Sequence, residues 1–361
     1  MRKKIRRSLY NSGMAAKNFV SWLPKATKNS ISEIPSSLGR FKSWLLTFRG
    51  GITIASLIGL ILIPVLTGKD YWTFLLITAM IYAIFAASWD FLAGYAGQVS
   101  FGHSIFFGVA GYTTAILIKY SGYSWLLALF IGAIVAVLTG LIIGIPCLRL
   151  KGPYLALVTL AFSIILFTLF MMPDFPYGGS DGISGLAAIS SEWIGLFFII
   201  LGFMIFSFIS LHAIGDSKTG TILKSIRDDE TCAEASGINT TKYKLLAFMI
   251  SGLFAGIAGG LFVLTNRAVN PAIYQPLYSF YAIIMAAIGG IATISGAIVG
   301  SFLFVLLSEF LSRYTPFGAS ALLIFAFILI VIIVLADKGV LNPLLDNLKK
   351  SYNFLKEKMK I

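Results

Sequence analysis

The sequence predicts an all-α, polytopic membrane protein of about ten transmembrane helices, with both termini on the cytoplasmic side. Three observations lead there. The 361 residues are 58% hydrophobic and only 12% charged, about half the charged share of a soluble domain, and mean hydropathy is +0.89. Long stretches carry no charge at all: 50–68, 71–89, 91–118, 120–148, 152–173, 193–215, 245–266, 268–308 and 314–336. The 28 Lys/Arg are unevenly placed, with 11 in residues 1–50 and six in 337–361.

Crossing the roughly 30 Å hydrocarbon core takes about 20 apolar residues. Eight of the uncharged stretches suit one span each. The ninth, 268–308, is long enough for two, with a turn near GGIATISG. Lipid offers no hydrogen bonds to the backbone, so these are helices and not open strands. The membrane-embedded body is thus 51–336, flanked by a basic segment, 1–50, and a basic tail, 337–361. Those flanks hold the whole net charge of +13. Basic flanks beside membrane helices are held at the inner face by anionic lipid, so nothing here calls for nucleic acid. Residues 1–50 lack the 7–15-residue apolar core of a secretory signal and read as a cytoplasmic or interfacial segment. With both tails inside, Arg149, Lys151 and the five basic residues of 215–244 bring the inner side to 24 of the 28 Lys/Arg, a strong positive-inside bias. Loop 172–192 has acids and no Lys/Arg, as suits the outer face. Cys147 and Cys232 both fall inside, where no disulfide is expected.

Five spans lie on each side of loop 172–192. An odd number per half gives the halves opposite orientation, the arrangement of an inverted 5+5 repeat. Each half also has a glycine-interrupted segment, 94–112 and 286–301. Paired segments of this kind point to a translocation path; the competing reading is close helix packing, since Gly296 and Gly300 are four apart. The first segment also carries polar residues, so Gly94, Gln98, Ser100 and His103 are the candidate path residues. There is no P-loop, no dinucleotide fingerprint and no metalloprotease motif, so no catalytic or metal-binding residue is expected. Asp90, at an inner boundary, and Glu309, in the ninth predicted span, are the only acids near the membrane interior. An ion-coupled carrier keeps several such groups, so energy is expected from elsewhere.

The polar loop 215–244 holds five Lys/Arg and five acids. A lipid clamp would be a one-sign cluster. Ile222, Leu223 and Ile226 recur at helical spacing. Asp228 or Asp229 can cap a following turn, Glu230 and Glu234 lie on one face, and Gly237 can end that turn left-handed. The loop therefore reads as two short helices that form a docking element.

Four segments, GYAGQVSFGHSIFFGVAGYTTAIL, LRLKGPYLALVTLAFS, GGSDGISGL and SIRDDETCAEASGINTTKYKLLAFMISGLFAGIAGGLF, occur in this order. Together they resemble permease subunits of branched-chain amino-acid ABC transporters, the LivM type, over about residues 70–336. The resemblance implies that loop 215–244 inserts into an ATPase subunit. Glu234, Ala235 and Gly237 would form the core of that contact, with Ser236 where alanine is common. Arg227, Asp228, Asp229 and Glu230 would form its rim. It further implies two ATPase subunits that bind ATP and magnesium, a second homologous permease and an extracytoplasmic solute-binding protein. The chain itself would hold no cofactor, would not be an enzyme, and would lie in the cell (plasma or inner) membrane. A urea or short-chain amide permease shares these motifs and stays open as an alternative. An ion-coupled secondary transporter, resting on Asp90 and Glu309, is the reading from another class.

Overall fold

In the computed structural model, residues 59–62, 64, 70–147, 152–173, 176–177, 179–190 and 192–314 are described. The predicted span 314–336, most of 50–68, both basic flanks, Arg149 and Lys151 lie outside them. Helix α1 is Asp70–Asp90, continued directly by a π-helical turn, Phe91–Tyr95. Then come α2 (Ser104–Lys119), α3 (Trp125–Cys147), α4 (Pro153–Phe170) and α5 (Trp193–Gly215). Two short helices follow, α6 (Lys218–Asp228) and α7 (Glu230–Ala235). The last three are α8 (Thr240–Asn266), α9 (Pro276–Gly289) and α10 (Ile294–Tyr314).

Among the described residues six helices are long and apolar enough to cross a membrane: α1 with its π turn, α3, α4, α5, α8 and α10. Helices α2 and α9 are apolar but have only 16 and 14 residues, hence ~24 and ~21 Å of length at 1.5 Å per residue. These eight fall where eight of the ten expected spans lie, and the other two expected spans are largely outside the described residues. The outward faces of α3 and α4 are themselves apolar, with Ile142 70% and Ile165 58% exposed. Such faces suit lipid and not water.

One expectation needs correction. The uncharged run 91–118 is not one span. Gly97 turns left-handed (φ +67°), and residues 97–103 are irregular before α2 begins. Irregular backbone at membrane depth must find partners inside the protein, and here side chains of other helices supply them. Phe101 N–H donates to Thr159 Oγ1 of α4 (3.1 Å). Ser104 N–H donates to Ser279 Oγ of α9 (2.8 Å). The run 268–308 divides near GGIATISG, at Gly290 (φ +112°) and Ala292 (φ +65°). Its first residues form a two-residue strand and a single 3-10 turn, Pro271–Tyr274, and α9 starts only at Pro276.

In lipid no hydrophobic force drives helices together, so close packing through small residues does much of the work. A Cβ on Gly259 of α8 would lie 2.0 Å from the Phe107 carbonyl oxygen of α2. A Cβ on Gly300 of α10 would lie 1.9 Å from the Met285 carbonyl oxygen of α9. Gly289, Gly296 and Gly300 thus serve close packing of α9 on α10, while Gly290 makes the turn between them.

The packing pattern repeats. Helix α8 packs on α3 and α2, and α2 packs on α3; likewise α1 packs on α10 and α9, and α9 packs on α10. Under this correspondence α2 matches α9, and the irregular stretch 97–103 matches 267–275. The glycine-rich stretch 286–301 then holds the α9–α10 connection, which corresponds to the α2–α3 connection and not to 94–112. A two-residue antiparallel pair, β1 (Ile183–Ser184) with β2 (Ala268–Val269), ties loop 172–192 to the α8–α9 connection.

Candidate functional site

Helix α6 forms because Ser217 caps it, with Gly220 N–H donating to Ser217 Oγ (3.4 Å), and because one face is apolar. That face is buried through Leu223 and Ile226. The chain then extends at Asp229, whose Oδ1 accepts the N–H groups of Thr231 (2.8 Å) and Cys232 (3.0 Å) and so caps α7. Of the two aspartates considered from sequence, Asp229 is the cap. Helix α7 ends in a Schellman arrangement: Ile238 N–H donates to the Ala233 carbonyl (3.1 Å), Gly237 N–H to the Glu234 carbonyl (2.9 Å), and Gly237 has φ +81°.

Two side-chain bonds fasten α7 to the first turns of α8. Lys244 Nζ pairs with Glu230 Oε1 at 2.6 Å, with the lysine side chain only 4% exposed. Thr240 Oγ1 donates to Glu234 Oε1 at 2.7 Å. Between α6 and α7 lies a cleft of ≈ 440 Å³ lined by Thr221, Lys224, Ser225, Asp228, Asp229, Cys232, Ala233 and Ser236.

The amides of Cys232 and Thr231 and the Cys232 thiol hold the Asp229 carboxyl below its ordinary value, and the same carboxylate raises the Cys232 thiol. A carboxyl lowered on folding contributes stability that is complete above its unfolded pKa and is lost as pH falls through its folded pKa. Amide protection at Thr231 and Cys232 is therefore expected to drop in the acid range. Asp229→Asn, which caps without titrating, is expected to keep it; hydrogen exchange across that range checks both.

Arg227, expected at the rim of a partner contact, turns toward the bundle. Its Nη1 donates to the Gly94 carbonyl at 2.7 Å. Its Nε and Nη2 donate to Asp228 Oδ1 at 3.0 and 2.8 Å. Lys224 Nζ stands 4.8 Å over the Tyr95 ring. Four residues before Gly94, Asp90 Oδ1 accepts the Ala292 N–H at 2.7 Å, and a Cβ on Gly94 would lie 2.5 Å from Ala292 Cα. The two glycine-broken segments therefore meet, at the end of α1 and the start of α10.

The other path candidates are engaged inside the bundle. Gln98 is 8% exposed, and its Nε2 reaches the Ala96 carbonyl at 3.3 Å. Ser100 accepts Trp89 Nε1–H on its carbonyl (2.8 Å) and Gly102 N–H on its hydroxyl (3.3 Å). His103 is fully buried between Phe85 and Phe106. Its Nε2 lies 2.9 Å from Ser88 Oγ, and that hydroxyl donates to the Phe85 carbonyl (2.6 Å). The one hydroxyl proton is thus used, so His103 Nε2–H is the donor to Ser88 Oγ. Asp228, Asp229, Glu234, Ala235 and Gly237 are exposed on the α6–α7 side. Glu309, near the other end of α1, accepts from Tyr71 Oη, with the Arg313 guanidinium over the Tyr71 ring. Sequence reading flagged Asp90 and Glu309 by charge alone, counted Lys244 only among the five basic residues of 215–244, and assigned none of them a partner.

Residues 71–334, which take in the chain from α1 through α10, match the family described as the branched-chain amino acid transport system / permease component. The chain belongs to that permease family. The permease is 26% identical over 268 residues to the high-affinity branched-chain amino acid transport system permease protein LivM of Escherichia coli K12. That alignment covers 66% of this chain and 63% of the relative, so the permease spans under two thirds of the LivM length it matches. It is 25% identical over 283 residues to the E. coli K12 permease protein LivH, covering 70% of this chain and 89% of the relative. A probable branched-chain amino acid permease, LivM of Methanocaldococcus jannaschii, is 25% identical over 197 residues, covering 52% of this chain and 56% of the relative.

Proposed function

We propose that this chain is a translocation-path subunit of an ATP-driven importer of branched-chain amino acids in the plasma (inner) membrane. Two ATPase subunits, which bind ATP and magnesium, engage its α6–α7 pair. A second, homologous permease completes the path, and a solute-binding protein delivers cargo on the opposite face. The observation that carries the reading is the α6–α7 pair itself: a capped, polar, cleft-bearing element whose apolar face rests on the bundle where α1 ends. Small residues at Ala235 and Gly237 permit close approach of a partner, and the charged groups around them set register more than affinity. The two acids that an ion-coupled carrier would use do not form one relay: Asp90 Oδ1 accepts from Ala292 at one end of α1 and Glu309 from Tyr71 at the other.

The test is uptake of labelled L-leucine by the chain reconstituted with its cognate permease, binding protein and ATPases. Omitting the ATPases or ATP is expected to reduce uptake at least tenfold. Uptake that survives their removal overturns the reading. Glu234→Lys, which breaks the bond to Thr240, and Gly237→Val, which forces a β-branched residue to positive φ, are each expected to abolish ATPase co-purification while the bundle stays monodisperse.

A further inference from the structure

Helix α1 and its π turn end at Tyr95, and a helix end leaves carbonyls without intrahelical partners. The chain itself serves two of them: Gly97 N–H donates to the Ala93 carbonyl and Gln98 N–H to the Leu92 carbonyl, both at 3.1 Å. The next one, on Gly94, is served by Arg227 of α6 at 2.7 Å. The positive guanidinium at this carbonyl end also matches the helix dipole. The arginine stem lies against the following turn, where a Cβ on Gly97 would come within 3.1 Å of Arg227 Cγ. Asp228 holds the other two guanidinium nitrogens, so the side chain is fixed at both sides. One helical turn before Gly94, Asp90 holds the amide that opens α10. A continuous set of bonds thus runs from α6 to the end of α1 and on to the start of α10.

We propose that Arg227 is the positioning residue that transmits displacement of α6 to the broken end of α1, and through Asp90 to α10. Its Nη1 reaches into the bundle to the Gly94 carbonyl. This rests on the reading above that α6–α7 receives the ATPase. It predicts a phenotype that a docking residue cannot give: partner bound, nucleotide turned over, membrane helices unmoved. Arg227→Met keeps the stem against Gly97 and removes every donor. Arg227→Lys keeps one donor for the Gly94 carbonyl.

The experiment uses the full complex with Cys232→Ser to remove the exposed native thiol. Val99, 41% exposed in the irregular stretch, is replaced by cysteine as a reporter. Maleimide labelling at position 99 is compared without nucleotide and with ATP and vanadate. With Arg227 present, nucleotide is expected to change the labelling rate at least fivefold. In Arg227→Met the change is expected to vanish while ATPases co-purify at the unaltered level and hydrolysis continues. Arg227→Lys is expected to restore part of the change. A full nucleotide response in Arg227→Met overturns the proposal. So does loss of ATPase binding in that variant, which would make Arg227 a docking residue, or a position 99 that ignores nucleotide when Arg227 is present and ATPases are bound. Failure of the unaltered chain to bind ATPases at all would instead remove the parent reading.

Discussion

Gly259→Leu is expected to yield no monodisperse, folded protein. Helix α8 lies at the centre of the bundle, and Gly259 is where it meets α2. Even a methyl group there would stand 2.0 Å from the Phe107 carbonyl oxygen and 2.8 Å from Phe107 Cα. Those are backbone atoms of a neighbouring helix and cannot rotate away. Inserting bulk into a packed core usually costs about 1–3 kcal/mol because side chains can shift. Here relief requires α2 and α8 to separate, and close packing is what holds helices together in lipid. Gly259→Ala is expected to lower the melting temperature in detergent, and Gly259→Leu to abolish the sharp size-exclusion peak. Gly202→Leu is the control: no atom lies within 4 Å of a Cβ built at Gly202 on α5, so it is expected to behave like the unaltered chain. Equal behaviour of Gly259→Leu and Gly202→Leu would refute this packing.

The second large effect concerns the Lys244–Glu230 pair. Lys244 is the more enclosed partner, with 4% of its side chain exposed against 24% for Glu230. Removing one member of a buried pair strands the other, at about 3–5 kcal/mol when the survivor is fully enclosed. Glu230→Ala leaves the enclosed ammonium alone and belongs at that end of the range. Lys244→Met leaves a carboxylate that water can still reach, so its effect is expected to be smaller, about 1.5–3 kcal/mol, the value of a charged hydrogen bond. The double variant is expected to be more stable than Glu230→Ala alone, because no charge is left stranded. Denaturation in mild detergent, followed by α7 amide protection, orders the three. Glu230→Ala at or above Lys244→Met in stability would contradict the inequality.

Much of the local structure was legible because its causes are local. Lipid forbids charge over about 20 residues at a time, so the uncharged runs mark helices directly. The α6–α7 loop was legible for a similar reason: its cap, Asp229, and its terminator, Gly237, act on backbone within three or four positions. The connections that assemble the site have no such signal. Arg227 meets Gly94 across 133 positions, and Asp90 meets Ala292 across 202. Nothing in the residues around Asp90 separates an inner-boundary acid from a helix-capping one. Residues 91–118 were read as one span because absence of charge reports the membrane and says nothing about φ. The sign of φ at Gly97 and the hydroxyls of Thr159 and Ser279, which make the break tolerable, are questions of tertiary structure. The glycines of 286–301 left both readings open, a chain break and close helix packing. A glycine that admits a neighbouring helix and one that turns the chain are the same letter, and only the Met285 carbonyl beside Gly300 tells them apart.

The small ladder between Ile183–Ser184 and Ala268–Val269 has a mechanical meaning. It closes residues 184–268 into a ring whose long sides are α5 and α8 and whose opposite end is the α6–α7 pair. The two sides touch little along their length, and α1 fills the gap, packing on both. Such a frame resists sliding of one side past the other, since a shift of a full turn would break the ladder. It permits the sides to spread or tilt about the tied end. On the coupling proposed above, a push at the α6–α7 end would tilt α5 and α8 about the tied end.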